Sequence, residues 1–295
     1  MVAVGMWFYI PPKIDSGLMK SLLCLVAVFL SFLLPTWAQA AEALTLWVHP
    51  YLSATELTTR FTPLTTYLSE KLNRPVLLRI QQSYQAHVDF VGSDQADIAY
   101  LGPASYVTIK KHYGTKPLLA KVELNGKPFF YGMIITRNDS GIQGLADLAG
   151  KSFAFGDFDS TMSYLVPLTM LAKAGITKQS FSQYEHLRSH HDVALAVLGE
   201  YLDAGAVKEE VFYEFESKGL RMLAKSPPIA GHVFVASAKL PAELTAQIRT
   251  HLLNITSTAN KKTVLSPMAD SVTGLLPVVD QDYDTLRDLM QSVDQ

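Results

Sequence analysis

Phe129–Thr136 reads Phe-Phe-Tyr-Gly-Met-Ile-Ile-Thr, and Val233–Ala236 reads Val-Phe-Val-Ala. Both apolar runs are read as strands. Ahead of the first lies a series in which strands at Leu44–Val48, Val76–Ile80 and Asp97–Leu101 alternate with helices over Thr55–Leu72, Gln85–Gly92 and Ala104–Tyr113. Between the two runs the alternation starts again, with strands at Ser152–Phe155, Ala204–Val207 and Arg221–Ala224 and helices over Ser160–Ala174 and Asp192–Leu198. Such alternation predicts an α/β fold with a parallel sheet. The first run enters the second series and the second run leaves it, so the chain crosses twice. One doubly wound sheet or two lobes would fit the length; the two crossings favour two lobes, 44–130 plus 235–295 and 131–234, joined by a two-stranded hinge that closes around a ligand. Asn125-Gly126 predicts a hairpin between Leu118–Leu124 and Phe129–Thr136. The C-terminal stretch reads as helical, most clearly at Pro241–Leu253 and Tyr283–Val293.

The chain has 295 residues, 48% of them hydrophobic and 18% charged, enough apolar surface for a sizeable core. With 25 basic and 27 acidic residues it lacks the positive field of a nucleic-acid binder. Met19-Lys20, the uncharged run Ser21–Leu34 and Ala38-Gln39-Ala40 have the order of a secretory signal peptide. The expectation is export to the periplasm, with residues 1–40 removed and an upstream start assigned in error ahead of Met19. Cys24, the single cysteine, falls in this segment, so no disulfide and no cysteine-based metal site is expected in the mature chain.

Chemistry concentrates in Phe155–Pro167, where a strand ends, a loop with Gly156 follows, and Ser160-Thr161-Met162-Ser163 opens a helix. A helix start presents free N–H groups and partial positive charge, and hydroxyls there add donors. An anion site needing no Lys or Arg and an ordinary N-cap both fit this run. Ser189-His190-His191-Asp192 precedes the next helix, where a His can donate to an oxyanion or Asp192 can cap. His186 and His190 have a metal-like spacing only if the segment between them is helical. Tyr51, Tyr84, Tyr100 and Tyr131 sit at or near strand ends, the places that face the crevice of an open α/β sheet. Packing rings and a ligand cage both fit them. No G-x-S-x-G elbow is present, so a hydrolase using Ser160 and His190 has no motif behind it.

Taken in order, these motifs resemble the periplasmic phosphonate/phosphite/phosphate-binding proteins of ABC importers. The resemblance rests on His49-Pro50-Tyr51, Arg60–Leu64 through Leu72–Val76, Asp97–Pro103, Asp157–Pro167, Ser189-His190, Asp203–Ala206 and Ser226–Ile229. It implies a clamshell of the type II periplasmic binding protein fold, a protein that is not an enzyme and has no cofactor or metal. Phosphoryl oxygens would be held by Ser160, Thr161, Ser163 or its backbone, His190, Tyr84 and Tyr100, with Tyr51 and Tyr131 nearby and His191 the fallback for His190. Glu210 falls near an acid that faces the amine in aminophosphonate binders. Met162 stands where the family has a hydroxyl, and His232 where it commonly has an Asp, which weakens the case for an amine-bearing ligand. The partners implied are a small oxyanion and an inner-membrane ABC permease, the protein acting as a monomer. A periplasmic sensing module for a membrane signalling protein is the other reading.

Overall fold

The computed structural model describes residues 5–9, 42–257, 259 and 261–291. The described residues from 42 to 291 form one compact unit. The expected cleavage site and most of the expected leader lie outside the described residues, as do 292–293 of the expected last helix. Among the described residues no helix is long and apolar enough to cross a membrane.

Two mixed sheets carry the fold. The first series runs β1 (Leu44–Val48), α1 (Ala54–Leu72), β2 (Val76–Ile80), α2 (Tyr84–Gly92), β3 (Ile98–Leu101), α3 (Pro103–Tyr113) and β4 (Leu118–Leu124). Then β5 (Phe129–Phe130) leads to β6 (Gly132–Arg137), β7 (Ser152–Phe155), a π-turn (Thr161–Leu165) continued by α4 (Val166–Lys173), β8 (Gln183–His186), α5 (His190–Leu198) and β9 (Ala204–Lys208). The chain continues through α6 (Glu209–Glu216), β10 (Leu220–Lys225), β11 (Ile229–Ala230), β12 (Val233–Ala236), α7 (Ala242–Asn254), α8 (Lys261–Leu265), β13 (Val272–Leu276) and α9 (Asp284–Gln291). The six-stranded sheet has the order β13-β4-β12-β3-β1-β2, and the five-stranded sheet β10-β6-β9-β7-β8. β5 pairs antiparallel with β11, Ile229 opposite Phe130, in a ribbon where the chain passes from one sheet to the other and returns.

The parallel expectation holds for β1–β2, β1–β3, β7–β8 and β7–β9. The crossing strands break it: β12 is antiparallel to β3 and β4, and β6 is antiparallel to β9 and β10. The segment read as one strand over 129–136 is interrupted at Tyr131, because its two parts pair in different sheets. Asn125 (φ 50) and Gly126 (φ 74), both in the left-handed region, do form a tight turn, with Leu124 and Lys127 exchanging backbone hydrogen bonds of 2.8 and 2.9 Å. The hairpin ends there, since β4 pairs with β12 and β13 instead. β13 and β8 are strands, and α6 a helix, that the sequence reading did not assign.

Each element has a local cause. Ser53 caps α1 by accepting from Glu56 N at 3.2 Å, and Asn73 ends it in the left-handed region at φ 48. Leu57, Phe61, Leu64 and Leu68, spaced at helical intervals, are fully buried against the first sheet. Ser83 and Ser189 cap α2 and α5 in the same way. The first sheet has one large core, which also takes in Met162 and Val166; two smaller cores lie on the faces of the second. The π-turn therefore sits where the packing of the first sheet meets the chain of the second.

Candidate functional site

Strand ends bring the site together. His49 and Tyr51 follow β1, Tyr84 opens α2 after β2, and Tyr100 lies on β3. From the second sheet, Ser160 and Thr161 follow β7, His190 opens α5 after β8, and Lys208 and Glu210 stand at the end of β9. They line a cavity of about 490 Å³ together with Arg60, Met162, His232 and Ser271. This is the crevice at strand termini where α/β proteins take ligands. Tyr51, Tyr84, Tyr100, Ser160, Thr161, His190 and Glu210 are thus brought together; Ser163 and Tyr131 are not on the wall.

Ser160 O accepts from both Tyr164 N (3.2 Å) and Leu165 N (3.0 Å), which widens the first turn into a π-turn. Ser160 Oγ accepts from Ser163 N at 3.3 Å, so the capping reading of Ser160 is correct for its lone pair while its O–H stays free to donate. Thr161 Oγ1 accepts from Ala104 N at 3.0 Å, at the start of α3, and it too keeps a free O–H. Ser163 is a correction: its hydroxyl donates to Ala206 O, pinning the π-turn to β9 and away from the cavity. Gly156 permits this approach, since a Cβ there would lie 2.5 Å from Ser163 Cβ. Tyr131 is the second correction. Its ring lies under Lys225 Nζ at 3.6 Å and packs edge-on against Phe129, because the break between β5 and β6 turns it outward from the site.

His190 is the first residue of α5, not part of a preceding loop. Its Nδ1 accepts from Lys208 N at 3.1 Å, which leaves the hydrogen on Nε2 as its donor. Burial first, and then the charge of Lys208, push its pKa down to about 3, so the ring is neutral. With its lone pair taken, His190 has none left to act as a base for Ser160. His191 meets the cavity mouth but pairs with Glu214 at 2.9 Å. His186 ends β8 and donates from Nδ1 to Gly156 O at 2.7 Å, so it shares no helix with His190. Among the described residues no three His, Cys, Asp or Glu side chains come together as a metal site.

The floor is aromatic and uncharged. His49, Tyr100 and His232 stack with centroids 5.2–5.5 Å apart. Burial, and then the charge of Lys208, lower the His232 pKa to about 4. Burial likewise raises the phenols of Tyr51, Tyr84 and Tyr100, so each is a neutral O–H. Among the described residues none of these three hydroxyls has a hydrogen-bond partner. The free donors are therefore three tyrosines, Ser160, Thr161 and His190.

The cations on the wall are Arg60 on α1 and Lys208, the second missed by a reading that ended β9 at Val207, and both are already paired. Lys208 Nζ is 2.7 Å from Glu210 Oε2, and Ser271 donates to Glu210 Oε1 at 2.6 Å. Burial alone would raise the Glu210 carboxyl, but Lys208 and Ser271 outweigh it and hold it below its ordinary value. Arg60 donates to Glu56 and to Met268 O.

The chain as a whole has counterparts among known proteins. The profile of the family described as "ABC transporter, phosphonate, periplasmic substrate-binding protein" matches residues 46–283. The chain belongs to this family. Within it, the phosphate-import protein PhnD of Mycolicibacterium smegmatis is 28% identical over 271 residues, 83% of this chain and 84% of that protein. A phosphonate-transporter binding protein from Pseudomonas aeruginosa superposes with a TM-score of 0.75 at 22% identity, covering 86% of this chain and 88% of its own. PhnD1 of Prochlorococcus marinus, solved with methylphosphonate, superposes with a TM-score of 0.76 at 19% identity, covering 86% and 98%. The likeness of these structures gives this phosphonate-binding family member the two-lobed periplasmic binding protein fold.

Proposed function

We propose that the chain captures a small phosphorus oxyanion, a phosphonate, phosphite or phosphate, and delivers it to an inner-membrane ABC permease. The observation that carries this reading is the convergence of six unpartnered donors on uncharged side chains, beside two cations that already have carboxylates. Oriented neutral donors in a buried site bind an anion without a free counter-charge. In this reading Ser160, Thr161, His190, Tyr84, Tyr100 and Tyr51 hold the phosphoryl oxygens. At the two positions where the resemblance implies an acid facing an amine, His232 is neutral and Glu210 is engaged by Lys208 and Ser271, which weakens the case for an amine-bearing ligand. The lobes are 44–130 plus 235–295 and 131–234, and the β5–β11 ribbon is the hinge on which they close. The protein acts as a monomer in the periplasm after cleavage at Ala40.

A melting-temperature screen with phosphate, phosphite, methylphosphonate, 2-aminoethylphosphonate and sulfate tests the reading, because a ligand that binds only the folded state raises the melting temperature. A rise with at least one of the first three, larger than with sulfate, supports it. No rise with any phosphorus oxyanion refutes it.

A further inference from the structure

His49 contributes nothing to the donor set, yet it is only 1% exposed and faces the cavity. Its Nδ1 lies 3.2 Å from Tyr100 O. A carbonyl only accepts, so Nδ1 carries the hydrogen and Nε2 carries a lone pair. Among the described residues that lone pair has no donor. The same carbonyl also accepts from His87 Nε2 at 3.2 Å, so two rings are fixed by one oxygen. The cavity therefore presents its donors together with a buried neutral acceptor. An oxyanion bearing no proton would set an oxygen lone pair against it.

We propose that the site takes its oxyanion as the singly protonated monoanion, with the P–OH donating to Nε2 of His49, and so rejects sulfonates and sulfate. The inference rests on the ligand being a phosphorus oxyanion. A protonated phosphonate has both acceptor oxygens and a donor hydroxyl; a sulfonate of the same shape has acceptors only. A buried lone pair facing an oxygen is a desolvated group left unmatched, the type of contact that gives strong discrimination.

The charges on the wall agree. Asp159, Glu209, Glu210, Glu214 and Asp270 face the cavity against Lys208 and Arg60, an acidic excess that disfavours a dianion. Around His49 stand His87 on α2, His232 before β12, Tyr51 and Tyr84 at strand ends, Tyr100 on β3 and Lys208 across the cavity. Burial first, then the neighbouring His232 and His87, keep His49 neutral. Burial holds His49, His87, His190 and His232 neutral and keeps the phenols of Tyr51, Tyr84 and Tyr100 protonated, so from mildly acid to mildly alkaline pH none of these groups changes charge and the titration expected in binding is the ligand's own.

Calorimetric titration of the whole chain with methylphosphonate and with methanesulfonate tests this across that pH range. Methylphosphonate affinity should stay level on the acid side and fall about tenfold per pH unit above the ligand's second ionisation. Methanesulfonate should bind about 10- to 100-fold more weakly at neutral pH. His49→Phe keeps the stacked ring, and Tyr100 O keeps its bond from His87. With folding checked by a melting curve, this variant should lose the preference for methylphosphonate. Equal affinity for the two ligands, or methylphosphonate affinity that rises with pH, overturns the proton requirement while leaving the proposed function standing. A folded His49→Phe that keeps the full preference overturns the assignment to His49. If that variant does not fold, the wild-type pH profile and sulfonate comparison decide alone. No binding of phosphate, phosphite or methylphosphonate at any pH overturns the proposed function and this inference with it.

Discussion

Replacing Thr161 with Val keeps the shape of the side chain and removes its oxygen. That oxygen has two jobs in the account. It accepts the buried N–H of Ala104 at 3.0 Å, and its hydrogen is offered to the ligand. Losing the first role leaves a buried N–H without an acceptor, at a cost of about 1–3 kcal/mol. For a chain of this size that corresponds to a melting point lower by roughly 2–4 °C for each kcal/mol. The contact with α3 thus gives this ligand-site residue a stability cost of its own. Losing the second role removes a hydrogen bond to a charged oxygen, about 1.5–3 kcal/mol, or roughly a 10- to 100-fold weaker methylphosphonate affinity. Thr161→Ser, which restores the hydroxyl, should recover most of both. A melting curve without ligand and a calorimetric titration on each variant separate the two effects. Lower stability with unchanged affinity in Thr161→Val would refute the donor role and leave Thr161 as a packing and capping residue only.

Stability without ligand should fall as pH drops from about 6.5, the ordinary histidine value, toward about 4. His87, His190 and His232 are held neutral in the fold, so below their ordinary value the unfolded chain binds more protons. Melting curves over this range should show the decline, and His190→Gln with His232→Gln should make it shallower; an unchanged slope speaks against neutral, buried rings. Lys208→Met releases Glu210 Oε2 and should raise affinity for 2-aminoethylphosphonate relative to methylphosphonate by about tenfold in competition calorimetry. No change in that ratio would mean that the ion pair does not set the preference. Small-angle scattering should give a smaller radius of gyration with saturating methylphosphonate, and an equal radius would contradict closure about the β5–β11 ribbon.

The first sheet was legible because β1, β3 and β12 are short apolar runs, buried at most positions and bounded by turn residues. β8 was not, because Gln-Tyr-Glu-His lies at a sheet edge and is mostly exposed, with no alternation to read. β13 contains Gly274 and follows helical sequence, and only its pairing with β4 makes it a strand. α6 did carry a signal in the spacing of Val211, Phe212 and Phe215, all buried. At the site, Ser160, Thr161 and His190 could be picked out because strand-to-helix junctions leave local marks. Ser163 and Tyr131 were misplaced for want of tertiary information: a π-turn sends one hydroxyl to Ala206, and a change of sheet sends one ring to Lys225. His49 was visible only as part of a motif, since its chemistry depends on the Tyr100 carbonyl, 51 residues away.

The central claim is that neutral donors from both sheets converge on one phosphoryl group. A crystal structure of the methylphosphonate complex tests it most directly. The account predicts phosphoryl oxygens within hydrogen-bond distance of the Ser160 and Thr161 hydroxyls, His190 Nε2, and the Tyr84 and Tyr100 hydroxyls, with Lys208 still paired to Glu210. A phosphoryl group bound instead by Lys208 or Arg60, away from the π-turn, would contradict it.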